Sequence, residues 1–476
     1  MFTLKMSKLT RAVFLGCLLI AIAAQAQVVK TIFSFDGSDG QGPPYMSLIQ
    51  GTDGNLYGTT EYGGTFRGGT VFKVSPDGVQ TVLYNFCEQL CADGEKPYSG
   101  LVQATDGNFY GTTPYGGAYS YGIVYKITPA GALSVLYNFC PLGLPCVDGE
   151  RPTAALVQGI DGNLYGTTFA GGTHSAGTVF KITLNGEMTT LYSFCQQESC
   201  PDGSTPASGA LVQGIDGALY GAAGGGLMQD GEIFRITPSG QLTVIYNFCP
   251  QFGCLDGVAP VGISQGADGN FYGATFIGGA QTNKGTLFKL TLSGKLTTLY
   301  RFCTNPNQNG GCPDGALPLA APALGSDGFY FGMTEGWQAA SSIYGVTPSG
   351  GFEVLYRWPL IGGGSAGLFQ GTDGLFYATN ENFGTFHEGA VFSLDVQLGP
   401  LVRTSPLGGR RGATITILGT NLTEATGVTF NGTAANFTVV SASEITAIVP
   451  SGATTGRVKV ITPNGTLVSN LPFVVQ

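Results

Sequence analysis

Charge is scarce in this chain of 476 residues: Asp, Glu, Lys and Arg together make up 11% of it, less than half of the roughly 25% usual for a soluble domain. Lys and Arg number 21 against 30 Asp and Glu, a balance that argues against nucleic-acid binding or an anionic membrane surface. Histidine occurs twice, as His174 and His387, and tryptophan twice, as Trp337 and Trp358. Imidazole-based catalysis therefore has little to draw on, and neither a His-Glu-x-x-His motif nor a phosphate loop is present. No segment beyond the N-terminus is long and apolar enough for a membrane helix, and helical periodicity is missing throughout. What the chain has in quantity is glycine, 77 residues, with 25 prolines. Such a composition often means disorder, but 43% hydrophobic and 11% aromatic residues supply a core. A β protein rich in glycine turns remains.

The N-terminus reads as an export signal. Lys5, Lys8 and Arg11 precede the apolar run Ala12 to Ala24, and Ala24-Gln25-Ala26 follows as an A-x-A site. A cleaved signal peptide over 1–26 is expected, with a secreted, periplasmic or cell-surface mature chain. Cys17 lies inside that segment, and too little apolar sequence precedes it for lipid attachment. The other cysteines form close pairs: Cys87/Cys91, Cys140/Cys146, Cys195/Cys200, Cys249/Cys254 and Cys303/Cys312. No histidine lies near them, and two thiolates alone make a poor zinc site. In an oxidising compartment they read as local disulfides.

Self-similarity sets the fold. The phrase Asp-Gly-x-(Leu/Phe)-Tyr starts at Asp53, Asp106, Asp161, Asp216, Asp268 and Asp373, and Asp327 begins a copy shortened by one residue. One unit runs Ala155-Leu156-Val157-Gln158, Asp161-Gly162, Leu164-Tyr165-Gly166-Thr167-Thr168, a glycine loop, Thr178-Val179-Phe180-Lys181-Ile182, Asn185-Gly186, then Met188 to Phe194. Four β-rich runs separated by hairpin signals, repeated seven times at roughly 50-residue spacing, predict an all-β seven-bladed propeller over 27–397. The seventh unit stops after Ala390-Val391-Phe392-Ser393-Leu394, and Val28 to Phe35 matches the missing fourth strand. The N-terminal strand is therefore expected to close the ring, removing two sheet edges. Asn55-Leu56-Tyr57-Gly58-Thr59-Thr60 with Gly69-Thr70-Val71-Phe72-Lys73 resembles the GloVer tandem repeat of exported bacterial proteins. That resemblance covers about 45–395 and implies export and a propeller-like fold.

After Gly399-Pro400 the pattern changes to short period-two strands, among them Thr414 to Leu418, Val428 to Phe430, Ile445 to Val449 and Val458 to Thr462. A small β-sandwich is expected over 399–476. The segment resembles the IPT/TIG immunoglobulin-like domain, which implies a spacer or adhesive role.

Repeated residues read as structural. The Asp-Gly turns suit a hairpin's need for positive φ, and the Tyr of each second strand (Tyr57, Tyr110, Tyr165, Tyr220, Tyr272, Tyr330, Tyr377) suits a core between blades. Recognition is expected where the repeat varies: the glycine-rich and Cys-clipped loops at one end of the ring, bearing Glu61, His174, Asp230, Trp337 and His387. The expected function is an exported, non-catalytic binding or scaffold protein facing an extracellular polymer or surface protein, monomeric and without cofactor or metal. The alternative is an extracellular glycan lyase or hydrolase, which needs carboxylates meeting at one mouth of the ring.

Overall fold

The computed structural model describes residues 28–43, 48–88, 90–206, 209–226, 230–279, 282–335, 341–358 and 367–476. The proposed signal segment and Trp337 lie outside them. Among the described residues, helix is limited to one short turn at Leu422–Glu424, and no helix is long and apolar enough to cross a membrane.

Each repeat forms a four-stranded antiparallel sheet, strands A to D in order. In the third they are Val157–Gln158, Leu164–Thr168, Thr178–Ile182 and Met188–Ser193. Strand B is buried at every position, because both of its faces meet neighbouring sheets. Its Gly166 stands opposite Phe180 of strand C, and a methyl group there would meet the Phe180 ring and Leu156 at 2.5–2.7 Å. The recurring Gly/Phe pair is thus a fitted contact. The repeated tyrosines are all at most 2% exposed, and they form the expected inter-sheet core.

The A–B turn differs from the expectation in one respect. Gly162 has φ +83°, but Asp161 stays out of the left-handed region. The turn runs from Gly159 to Gly162, closed by Gly162 N–H donating to Gly159 O at 2.9 Å, so only its last residue needs positive φ. Asp161 contributes its carboxylate instead, accepting from Asn163 N–H (3.2 Å) and the Tyr165 hydroxyl (2.8 Å).

The seventh sheet consists of Phe369–Gln370, Phe376–Asn380 and Ala390–Asp395, completed by Val28–Ser34. The pairing runs antiparallel from Val28 opposite Asp395 to Ser34 opposite Ala390, the expected closure. Phe35, Leu48, Leu56 and Phe72 then pack with Tyr377 and Val391, joining the seventh sheet to the first. A repeated glutamine fastens neighbours: the Gln103 Oε1 accepts from Thr52 N–H of the preceding sheet at 2.9 Å, and its Nε2 donates to Gly107 O of its own turn at 3.0 Å. Gln158, Gln213, Gln370 and Gln50 repeat this, the last accepting from Thr372 and so completing the circle. The result is a closed, propeller-like ring.

Residues 403–475 build two further four-stranded sheets and a parallel pair, Gly408–Gly409 with Val474–Val475. Ile415, Ile417, Phe430, Ile445, Val458, Val460 and Phe473 form their own core. This module is seated on the ring rather than held away from it. The Ser443 hydroxyl donates to Thr52 O of the first sheet (2.6 Å), Asn470 Nδ2 to Leu324 O of the sixth (3.1 Å) and Arg403 Nη1 to Gln370 O of the seventh (3.2 Å). Leu401 N–H donates to Thr372 O, and the Thr372 and Thr420 hydroxyls meet at 2.8 Å. These contacts set the module against the A–B end of the ring.

Candidate functional site

The two ends of the ring differ in chemistry. The A–B end carries the Asp turns, whose carboxylates are spent on turn N–H groups and, except at Asp327, on tyrosine hydroxyls, and the C-terminal module covers it. The opposite end, where the B–C and D–A connections lie, is the one the module leaves uncovered.

The D–A connections are clipped by the five expected disulfides, Cys87–Cys91, Cys140–Cys146, Cys195–Cys200, Cys249–Cys254 and Cys303–Cys312. The aspartate after each pair clamps the loop. Asp148 accepts from the Tyr137 hydroxyl at 2.9 Å and from Cys140 N–H, and Asp93, Asp256 and Asp314 do the same in their units. Among the described residues, two sets of side chains have metal-ligand proximity, Cys87/Cys91/Glu95 and Asp230/Cys249/Cys254. In both the sulfurs are committed to a disulfide and offer no thiolate.

The sixth residue counted from the start of strand B varies from sheet to sheet: Glu61, Pro114, Phe169, Gly224, Phe276, Glu335 and Glu381. The carboxylates therefore fall on three consecutive sheets, the sixth, seventh and first. Burial pushes the Glu335 carboxyl up and the charge of Glu381 adds to it. Burial likewise raises the Tyr98 phenol, helped by Glu61 and Glu381 together, so these groups share one neighbourhood. Next to this acidic arc runs an aromatic one. Tyr62, Tyr115 and Phe169, on the first three sheets, are each 41–43% exposed. Lys96 Nζ sits 5.5 Å from the Tyr62 ring and 5.7 Å from the Tyr115 ring, and Arg151 lies 5.9 Å from Tyr115 on its other neighbour's side. Its hydrogen bond to Glu61 comes first in pushing the Tyr62 phenol up to about 12, burial second. Tyr62 also walls a groove of about 450 Å³ with Gly37, Gln41, Gly64 and Arg67.

Of the residues singled out from sequence, Glu61 belongs to this cluster. His174 is exposed beside the Thr173 hydroxyl, 3.0 Å away, in the third loop. His387 has φ +60° in the seventh loop, its N–H donating to Gly384 O. Asp230 lies against the Cys249–Cys254 bridge, and Trp337 lies outside the described residues. Trp358 is a core residue, packed on Phe383 and Phe392. The residues missed were Tyr62, Tyr115 and Phe169, together with Lys96 and Arg151. Their signal was present: the two positions after strand B vary in a unit whose flanks repeat.

A closed ring of repeated antiparallel sheets, with its variation confined to one end, defines a propeller-like repeat protein. The Gloeobacter/Verrucomicrobia repeat matches residues 16–158, 92–254 and 209–441, and the chain belongs to that family. None of the curated proteins matches it. Among solved structures it is similar to a gluconolactonase from Xanthomonas campestris, at 12% identity and TM-score 0.39, over 79% of this chain and 92% of that one. It is similar also to an auxiliary nutrient binding protein from Bacteroides ovatus, at 12% identity and TM-score 0.41, over 78% and 76%. A 6-phosphogluconolactonase-like protein from Bacteroides uniformis shows 14% identity and TM-score 0.41 over 66% and 85%. None of these likenesses bears on what this chain does.

Proposed function

We propose that the chain is an exported, non-catalytic glycan-binding protein: a seven-bladed propeller over 27–397, closed by its N-terminal strand, with an immunoglobulin-like module of IPT/TIG type over 399–476 capping one mouth. The observation that carries this reading is the row of exposed rings, Tyr62, Tyr115 and Phe169, beside the carboxylates of Glu61, Glu335 and Glu381. Exposed apolar faces with a few polar groups converging on them are the makings of a recognition site, and ring faces with oxygen acceptors suit the alternating CH and OH surfaces of a sugar chain. The signal-peptide pattern and the five disulfides support export. Co-sedimentation of the mature protein with insoluble extracellular polysaccharides tests it. Changing Tyr62 and Tyr115 together to Ala is expected to weaken binding at least tenfold, and Asp161→Asn at the capped end to leave it unchanged. The reverse pattern places the ligand elsewhere.

A second reading, a glycan lyase or hydrolase, draws on Glu335 and Glu381. A pair of carboxyls at one mouth is the residue set that acid–base cleavage of a glycosidic bond uses. Release of new reducing ends or unsaturated products from the bound polysaccharide, lost in Glu335→Gln, would replace the binding reading with this one.

A further inference from the structure

The seven sheets leave the inner edge of each strand A without a partner, and that edge faces the axis of the ring. Gly371 N–H is committed to Leu375 O across the A–B turn. Hydrogen-bonding direction alternates along an antiparallel pair, so the carbonyl of Gln370 points away from strand B, toward the axis. Leu324 holds the same place in the sixth sheet, opposite Tyr330 as Gln370 is opposite Phe376. These two inward carbonyls are the ones that Arg403 and Asn470 of the C-terminal module reach. The module therefore delivers a guanidinium to the axis at the closed end.

Arg403 is not paired there. Its carbon Cζ lies 5.6 Å from the Phe369 ring and Nη1 donates to Gln370 O at 3.2 Å, but no carboxylate among the described residues comes within ion-pair distance of it. Protein surrounds it, and that burial lowers its pKa with no carboxylate to offset the effect. Yet the residue keeps partial solvent exposure, and none of its nitrogens is among the sealed, unpartnered atoms. Part of its surface is therefore left open beside the Gln370 carbonyl and the Phe369 ring. An arginine stays charged under all ordinary conditions, and with Nη1 engaged, its Nε and Nη2 edge remains as a planar two-pronged donor, the geometry that fits an oxyanion.

We propose that Arg403 is the floor of a blind channel and binds the oxyanion of a small acidic molecule, a carboxylate or a phosphate, that enters from the open end. Such a molecule meets Glu61, Glu335 and Glu381 first and Arg403 last, an order that turns its anionic end toward the floor. The proposal rests on the ring and its cap and is independent of the glycan row at Tyr62 and Tyr115.

The test uses the full disulfide-bonded mature chain. Crystals soaked in sodium selenate are expected to show anomalous density within hydrogen-bonding reach of Arg403 Nε and Nη2. In solution, calorimetric titration with inorganic phosphate and with galacturonate distinguishes the two sources of oxyanion. At least one of them is expected to bind, at least tenfold more weakly to Arg403→Gln. Native crystals without density at Arg403 overturn the proposal, as does equal affinity in native protein and Arg403→Gln. The native crystal result decides the matter even where Arg403→Gln does not fold.

Discussion

Glu232 offers a measurable test of how the repeat is packed. It begins strand C of the fourth sheet, where the first, third and fifth have Thr70, Thr178 and Thr286. Those threonines bond to a second threonine on strand B, as Thr70 does to Thr60 at 2.9 Å. The fourth sheet has Ala223 in place of that partner, and the larger Glu232 side chain fills the space against Gly203. It is fully buried, and among the described residues neither carboxyl oxygen has a hydrogen-bond partner. Burial first, and then the charge of Asp202, push its pKa from 4.5 up to about 8.

Below pH 4.5 the folded and unfolded chains both hold the proton, and nothing is lost. Between 4.5 and 8 the unfolded chain releases it while the folded chain keeps it, so stability falls as pH rises, by about 1.4 kcal/mol per unit. The loss reaches about 3 kcal/mol at pH 7 and about 4 to 5 kcal/mol above pH 8. Glu232→Gln keeps the volume and the unpartnered polar atoms but cannot ionise. Urea unfolding at pH 4, 6 and 8 should therefore show native and variant nearly equal at pH 4, with the variant ahead by about 4 kcal/mol at pH 8. A difference between them that does not change with pH refutes the reasoning.

The glutamine fasteners and the disulfides give two more expectations. Gln103→Ala removes an acceptor from Thr52 and a donor from Gly107 and should cost about 1–3 kcal/mol in urea unfolding; Gln265→Ala, whose Nε2 has no partner, should cost clearly less. Replacing Cys140 and Cys146 together by Ser opens a loop with sequence separation 6 and should cost about 2 kcal/mol, because so short a loop restricts the unfolded chain little; peptide mapping of the unreduced protein should join Cys140 to Cys146.

What repeats was legible, and what happens once was not. Strand order and the local disulfides follow from rules that act within about 50 residues and recur, and closure by Val28–Ser34, which joins the two ends of the ring, follows from counting the strands. The glutamine before six of the seven Asp-Gly turns stands in the sequence as a recurrence, but its partner sits in the preceding sheet, so its role needed the ring itself. Docking of the C-terminal module rests on Arg403, Ser443 and Asn470, solitary residues in a segment whose strand pattern says only that it folds. Tyr62 and Tyr115 were passed over for charged residues nearby, because spacing along one unit cannot show that rings from adjacent units line up. The Asp turns carried a different lesson. Their chemistry was read as backbone geometry, whereas in six of the seven turns the carboxylate's bond to the following strand's tyrosine is what ties the turn to the core.

The closing strand pair also decides how the molecule would bear a load. Val28 and Asp395 lie side by side, so the chain enters and leaves the ring at the same end of the seventh sheet. Tension between them would open the pair one rung at a time, from Val28 toward Ser34, instead of shearing all its hydrogen bonds at once. Peeling is the weak direction of a β-ladder. The segment leaving the ring, however, is anchored within a few residues by Leu401 and Arg403 on the seventh sheet, with Ser443 and Asn470 holding the rest of the module to the first and sixth. A pull on the C-terminus must break this spread set of contacts before it reaches the zipper, so the cap doubles as strain relief for the seam that closes the ring.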